Sequence, residues 1–253
     1  MTMTKRSQSS QSKASATQQV VRVTADERLF ASPHLERVRF TDTDPWRVLR
    51  IMGEFVSGFE ELADLGPAVT VFGSARAKPT DPAYRAATET ARLLGKEGFT
   101  VLTGAGPGIM EAANKGAREV GAPSIGLNIE LPEEQYANPY LDRVIDFRYF
   151  FVRKTMLVKY SMAFIIFPGG FGTLDELFES LTLIQTGKVR HMPVIMFGSG
   201  YWTGLVDWLK NTLAAQGKIA PSDLDIFRIV DEPDEVVRAV VEARNRKSNN
   251  LIP

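Results

Sequence analysis

"MAFIIFPGGFGTLDELFES", residues 162–180, joins an unbroken apolar run to a helical pattern through a glycine-rich joint. Met162–Phe167 reads as a short buried strand, and the segment from Thr173 to Lys188 reads as a helix. Between them Gly169, Gly170 and Gly172 fall within four positions. The same strand, glycine loop and helix recur upstream. "AVTVFGSA" (68–75) leads to the helical "PAYRAATETARLLGKEGF" (82–99), and "TVLTGAGPG" (100–108) leads to "IMEAANKGAREVG" (109–121). "PSIGLNI", "LDRVIDFRYF", "MPVIMFG" and "FRIV" supply further strands. "FVRKTMLVKYS", "YWTGLVDWLKNTLAAQG" and "DEPDEVVRAVVEARNR" supply further helices. Short apolar strands alternating with helices predict a Rossmann-like, doubly wound parallel sheet with helices on both faces, an α/β fold.

The pattern divides the 253-residue chain into four parts. Residues 1–30, rich in Ser, Thr, Gln and Ala, read as a disordered tail with too little apolar surface to offset its ordering entropy. Residues 31–66 form a helical extension, in which Asp44 is a candidate N-cap and Pro45 suits the first helical position. Its apolar residues Trp46, Leu49, Met52, Phe55, Val56, Phe59 and Leu62 recur at helical spacing, for packing on the main domain or for a contact between copies. Residues 67–245 are the α/β domain, and 246–253 read as a frayed end.

Composition narrows the chemistry. Lys plus Arg and Asp plus Glu are 30 each, so there is no basic excess of the kind that marks nonspecific nucleic-acid binding. With no cysteine there is no disulfide framework, thiolate metal site or Cys nucleophile, and His34 and His191 cannot make a His-rich site. No metal and no cofactor is expected. No apolar run approaches the ~20 residues that span a bilayer, so a cytoplasmic location is the expectation, without a membrane or nucleic-acid partner.

In an open parallel sheet, ligands bind beyond the carboxyl ends of the strands. Three such ends carry unusual residues: Gly73–Arg76, Thr103–Gly108 and Pro168–Thr173. Glycines let a ligand approach the backbone, and the free amides of the following helix attract anions, phosphate above all. The spacing in Gly104–Gly108 is not GxGxxG. No acid stands about 20 residues on to bind an NAD ribose, Asn128 and Glu130 being poorly placed substitutes. Neither loop is GxxxxGK[ST], so a nucleotide-like phosphate is indicated without a standard dinucleotide or NTPase site. Glu176, three residues after Thr173, faces the loop side of its helix. It suits ribose hydroxyls or an attacking water, or else it is a favourable first-turn charge, the account that Asp175 and Glu179 fit better. Arg153 stands near its helix start, suited to phosphate or to Glu176, and with Lys154 it also fits a solvated basic pair.

"PGGFGTLDE" (168–176) is a PGGxGTxxE motif and resembles that of the LOG (Lonely Guy) family of cytokinin-activating phosphoribohydrolases. "TGAGPGIMEAANKGA" (103–117), "FGSAR" (72–76) and "FFVRKTMLVKYS" (150–161) resemble three more of its blocks, in order. The resemblance covers residues 68–240, and the leading helix is similar to that of the longer bacterial subgroup. It implies hydrolysis of the N-glycosidic bond of purine-type nucleoside 5′-monophosphates, cytokinin ribotides or AMP, to free base and ribose 5-phosphate. It implies Arg153 and Glu176 as catalytic residues, and Gly169, Gly170, Gly172 and Thr173 on the 5′-phosphate. Ser74, Gly106, Glu111, Lys154 and Met156 would lie along the nucleotide. It also implies a homo-oligomer, a dimer or larger. Ala105 stands where the family's block has glycine, and Val152 where the plant form has an acid before the arginine.

Two other classes use the same features. A non-hydrolytic nucleotide or molybdenum-cofactor carrier needs the glycine loops but not Arg153 and Glu176. A pyridoxal-phosphate lysine decarboxylase, a label this motif family sometimes carries, needs a Schiff-base lysine, and Lys115 and Lys159 look ordinary.

Overall fold

The computed structural model describes residues 23–30, 40–132, 136–189 and 192–249. Its helices are α1 (Ala25–Phe30), α2 (Asp44–Glu61), α3 (Pro82–Lys96), α4 (Ile109–Glu119), α5 (Phe150–Tyr160), α6 (Phe171–Gln185), α7 (Ser199–Trp208) and α8 (Pro233–Asn249). Its strands are β1 (Ala68–Phe72), β2 (Thr100–Thr103), β3 (Ser124–Ile129), β4 (Arg143–Phe147), β5 (Ser161–Ile166), β6 (Val194–Phe197) and β7 (Phe227–Val230). They form one seven-stranded sheet in the order β4-β3-β2-β1-β5-β6-β7, with every pairing parallel. The fold is the doubly wound α/β class that the strand–helix alternation predicts.

Strand residues alternate between two apolar layers, which is why the strands read as unbroken apolar runs. Val69 and Val71 of β1, with Ala163 and Ile165 of β5, face the layer closed by α3, α4 and α8. Ala68, Phe72, Phe164 and Ile166 face the layer closed by α2, α5, α6 and α7. Strand β4 is covered on one side only, so Ile145 and Phe147 are buried while Val144 and Asp146 are exposed. Helices α3 and α4 cross in backbone contact, since a Cβ on Gly116 would lie 2.0 Å from the Thr88 carbonyl oxygen.

The ends differ from the sequence expectation. Residues 1–22 of the expected tail lie outside the described residues, but Ala25–Phe30 within it are helical. Thr24 Oγ1 accepts the Glu27 N–H at 3.2 Å, so "TADE" (24–27) starts a helix as a Thr-x-x-Glu sequence does. Thr24 and Ala25 are buried. Helix α2 has Thr43, not Asp44, at its N-cap, while Asp44 pairs with Arg47 at 2.6 Å inside the first turn. Ile51, Phe55 and Leu62 pack on the core side, whereas Val48, Leu49, Met52 and Val56 form an exposed apolar stripe. Helix α8 runs through Asn249 into the stretch expected to fray, anchored by Arg244, which donates to the Glu97 carbonyl at 2.7 Å. Residues 31–39 and 250–253 lie outside the described residues.

Gly116→Ala drives a methyl into the α3 backbone and is expected to destabilise the protein by about 2–3 kcal/mol in urea unfolding. A loss below about 0.5 kcal/mol would show that the two helices separate freely.

Candidate functional site

The chain reverses its direction of sheet growth between β1 and β5, the place where open α/β sheets form a cleft. The loops there are joined through backbone. The Phe167 N–H donates to the Phe72 carbonyl at 2.9 Å, and the Ser74 N–H donates to the Pro168 carbonyl at 3.0 Å. The Ser74 carbonyl in turn accepts the Ile109 N–H at 3.0 Å. Side chains are excluded where these loops touch. A Cβ on Gly108 (φ 70°) would lie 2.3 Å from the Ser74 carbonyl oxygen. One on Gly169 would lie 3.0 Å from the Ser74 nitrogen and 2.1 Å from Thr173 Oγ1.

The two helix N-termini at this cleft are not equivalent. That of α4 gives its first amide to Ser74. That of α6 follows Gly170, which offers no side-chain cap, and apart from adjoining residues of the chain none of the described residues comes within 4 Å of a Cβ built on Gly170 or Gly172. Gly170, Phe171 and Gly172 are exposed. The α6 terminus is therefore the exposed one, and its first-turn amides are of the kind that attracts anions. Thr173 is buried under Gly169. Tyr201 of α7 holds the loop from behind, its hydroxyl donating to the Gly169 carbonyl at 2.6 Å.

The TGAGPG loop is set by a buried polar network. Asn138 donates its N–H (2.9 Å) and its Nδ2 (3.0 Å) to the Ala105 carbonyl, and Nδ2 also reaches the Gly106 carbonyl at 3.1 Å. Asn114 Oδ1 accepts from Asn138 Nδ2 at 2.9 Å and from Thr103 Oγ1 at 2.7 Å. Ala105 adopts φ 65°, the left-handed conformation that its glycine counterpart in the resembling block adopts freely. Gly106 is buried and its carbonyl is spent on Asn138.

Glu176 and Arg153 are both brought to the cleft. Glu176 is 7% exposed, and burial pushes its carboxyl from 4.5 up to about 7, against the opposing pull of Lys154 and Arg153. Asp175 and Glu179 push the same way as burial. Arg153 is desolvated, which lowers its pKa, and Glu176 is the foremost opposite charge acting on it. Its Nη1 lies 3.6 Å from the position of a Cβ on Gly104, so the guanidinium reaches the β2 loop.

The remaining expected site residues have the following surroundings. Met156 is fully buried, with its Cε 2.9 Å from a Cβ built on Gly58. Val152 and Met156 share the α5 face turned to the core, so Met156 packs there rather than along the cleft. Lys154 Nζ sits 2.9 Å from both Asp175 and Glu179, which are thus an α5–α6 clamp rather than free surface charge. Glu111 accepts the Tyr84 hydroxyl at 2.8 Å, and Ser74 Oγ accepts the Arg76 N–H at 3.1 Å. Tyr201 and Asn138 carry no local sequence signal, because each acts on a loop more than 30 residues away.

A family model described as "Possible lysine decarboxylase" matches residues 110–240. The cytokinin riboside 5′-monophosphate phosphoribohydrolase of Mycobacterium tuberculosis is 31% identical over 156 residues, 60% of this chain and 82% of that protein. That of Mycobacterium marinum is 28% identical over 166 residues, 64% of this chain and 88% of that protein. The molybdenum cofactor carrier protein of Chlamydomonas reinhardtii shares the fold, with a TM-score of 0.51 and 20% identity over 71% of this chain and 98% of that one. Pyridoxal-phosphate chemistry needs an imine-forming lysine, and Lys154 at this cleft is engaged by Asp175 and Glu179. Burial disfavours the Lys154 ammonium, yet its bonds to Glu179 and Asp175 outweigh that and raise its pKa, whereas an imine-forming lysine needs a neutral amine.

A carboxyl that titrates near 7 when folded and near 4.5 when unfolded binds its proton more tightly in the folded state. Its contribution to stability is full below pH 4.5 and is lost as pH rises through 7. Glu176→Gln removes the buried charge and is expected to be more stable than the parent at pH 8 by about 1–3 kcal/mol. That gap should close toward pH 5 in urea unfolding. Equal stability at pH 8 would show that Glu176 is not desolvated.

Proposed function

The chain belongs to the LOG (Lonely Guy) family, and from that membership we propose that it hydrolyses the N-glycosidic bond of purine-type nucleoside 5′-monophosphates. The substrates are cytokinin ribotides or AMP, and the products are free base and ribose 5-phosphate. The observation that carries this reading is one helix holding two functions. The first turn of α6 presents open backbone at Gly170–Gly172, and Glu176, the sixth residue of α6, is buried beside Arg153.

The 5′-phosphate binds at the α6 N-terminus through backbone amides and the helix dipole. Glu176 lies about 7.5 Å further along the axis at 1.5 Å per residue, and helical side chains lean back toward the N-terminus. That spacing suits a carboxylate facing the ribose of a nucleotide held by its phosphate. Cleavage builds positive, oxocarbenium-like charge on the sugar. The ionised Glu176 stabilises that charge and takes a proton from the attacking water. Arg153, with Lys154, favours the ionised form of Glu176 and offsets part of the effect of its burial. The phosphate grip supplies binding energy remote from the bond that breaks. Of the other residues that the resemblance assigns to the nucleotide, Ser74 and Gly106 shape the cleft through their backbone, while Lys154 and Glu111 act through Asp175, Glu179 and Tyr84. The exposed stripe Val48, Leu49, Met52 and Val56 supports self-association as a dimer or larger.

Incubation with AMP and with isopentenyl-adenosine 5′-monophosphate, followed by chromatography, should show free base. Glu176→Ala should lower the rate by about 10²–10⁴-fold. Binding without base release would favour a carrier, and base release unchanged by the substitution would sink the role of Glu176. Because Glu176 works ionised, kcat/KM should rise about tenfold per pH unit up to about 7 and level off above it. A profile that falls above pH 7 would make Glu176 an acid instead.

A further inference from the structure

Helix α5, which carries Arg153, is held at its first turn from outside the α/β domain. Glu54 of α2 accepts the backbone N–H groups of Arg148 (3.0 Å) and Tyr149 (3.1 Å) through one oxygen. Asp26 of α1 accepts that of Phe150 at 3.1 Å. The N-cap residue Tyr149 makes no side-chain cap bond, and the first turn of α5 has no acid of its own. Orphan amides and a positive helix end are thus satisfied by two carboxylates that lie 94 to 124 residues away in the chain.

Arg153 depends on that turn. Its N–H donates to the Tyr149 carbonyl at 3.2 Å, and its guanidinium lies 5.1 Å from the Phe150 ring centroid. Its buried Nε has no hydrogen-bond partner among the described residues. Asp26 is also one of three carboxylates whose charge acts on Arg153, beside Glu176 and Asp175. The guanidinium is therefore aimed by the backbone beneath it and by surrounding charge, with no bond at Nε to hold it.

We propose that Asp26 and Glu54 are positioning residues of the site: by capping the Arg148–Phe150 amides they fix the first turn of α5 and aim Arg153 at Glu176. Burial raises the pKa of both half-buried carboxyls from the ordinary value, despite the amides that they accept. The N-terminal helices are on this view part of the catalytic scaffold. The activity consequence rests on the phosphoribohydrolase reading; the structural consequence does not.

Asp26→Ala and Glu54→Ala loosen the turn under Arg153 but leave the α6 phosphate cradle intact. Each should lower kcat about tenfold while KM changes less than about twofold. Asp26→Asn and Glu54→Gln, which keep an acceptor oxygen, should recover part of the loss. In an Arg153→Lys background the alanine substitutions should add little further loss, because they act through the same group. Independently of turnover, hydrogen–deuterium exchange should speed up in the peptide 148–156 and stay unchanged across α6. A kcat within twofold of the parent in both alanine variants overturns the proposal, and so does unchanged exchange at 148–156. If the parent chain releases no base from either nucleotide, the phosphoribohydrolase reading fails. The exchange measurement then decides this proposal alone: faster exchange at 148–156 sustains it, and unchanged exchange overturns it.

Discussion

The backbone of Ser74 bonds in two directions, to Pro168 and to Ile109, and the cleft is built on that pair of bonds. They bring the ends of β1, β2 and β5 so close that Gly108 and Gly169 have no room for a Cβ. They also make the two helix termini unequal, since the first amide of α4 is given to Ser74 while Gly170 and Gly172 at the start of α6 are exposed. Two glycine loops that look alike in sequence thus have different jobs. One gives two of its carbonyls to Asn138 and its helix amide to Ser74, and the other leaves Gly170 and Gly172 exposed.

Charge in the cleft is arranged by the same economy of partners. Lys154 is drawn off by Asp175 and Glu179, the acids on either side of Glu176. Glu176 and Arg153 are both buried and each is shifted by desolvation first, with Lys154 and then Arg153 pulling Glu176 the other way. A carboxylate in this state is poorly solvated and reactive toward developing positive charge, and it costs stability when ionised. Such a cost is tolerated where a ligand later supplies the missing interactions.

The sheet was legible in the sequence because strands covered on both faces leave unbroken apolar runs, as β1 and β5 do. The glycine loops at the strand ends were legible because they depend on local spacing. What was not legible depends on partners distant in the chain. Nothing near Lys154 says that its ammonium goes to α6, and nothing near Tyr201 says that it holds Gly169. The resemblance puts Met156 along the nucleotide, whereas its apolar side chain and the helical period place it with Val152 against the core. Helix α1 was missed for another reason. Its Thr24-x-x-Glu27 signal is short, and the polar composition of the preceding residues outweighs it.

Ala105 shows how a departure from a motif is absorbed. A left-handed alanine costs roughly 1 kcal/mol more than a glycine would. The neighbouring strand makes room for it: a Cβ on Gly126 would lie 2.6 Å from the Ala105 methyl, so the space that a side chain on β3 would fill is given to Ala105 instead. Asn138 then fixes the peptide from the far side through two bonds to the Ala105 carbonyl. The methyl is wholly buried, and that burial offsets much of the backbone cost. The result is a loop with less backbone freedom than a glycine would allow. The residues that tolerate the change, Gly126 and Asn138, lie outside the motif in which it occurs.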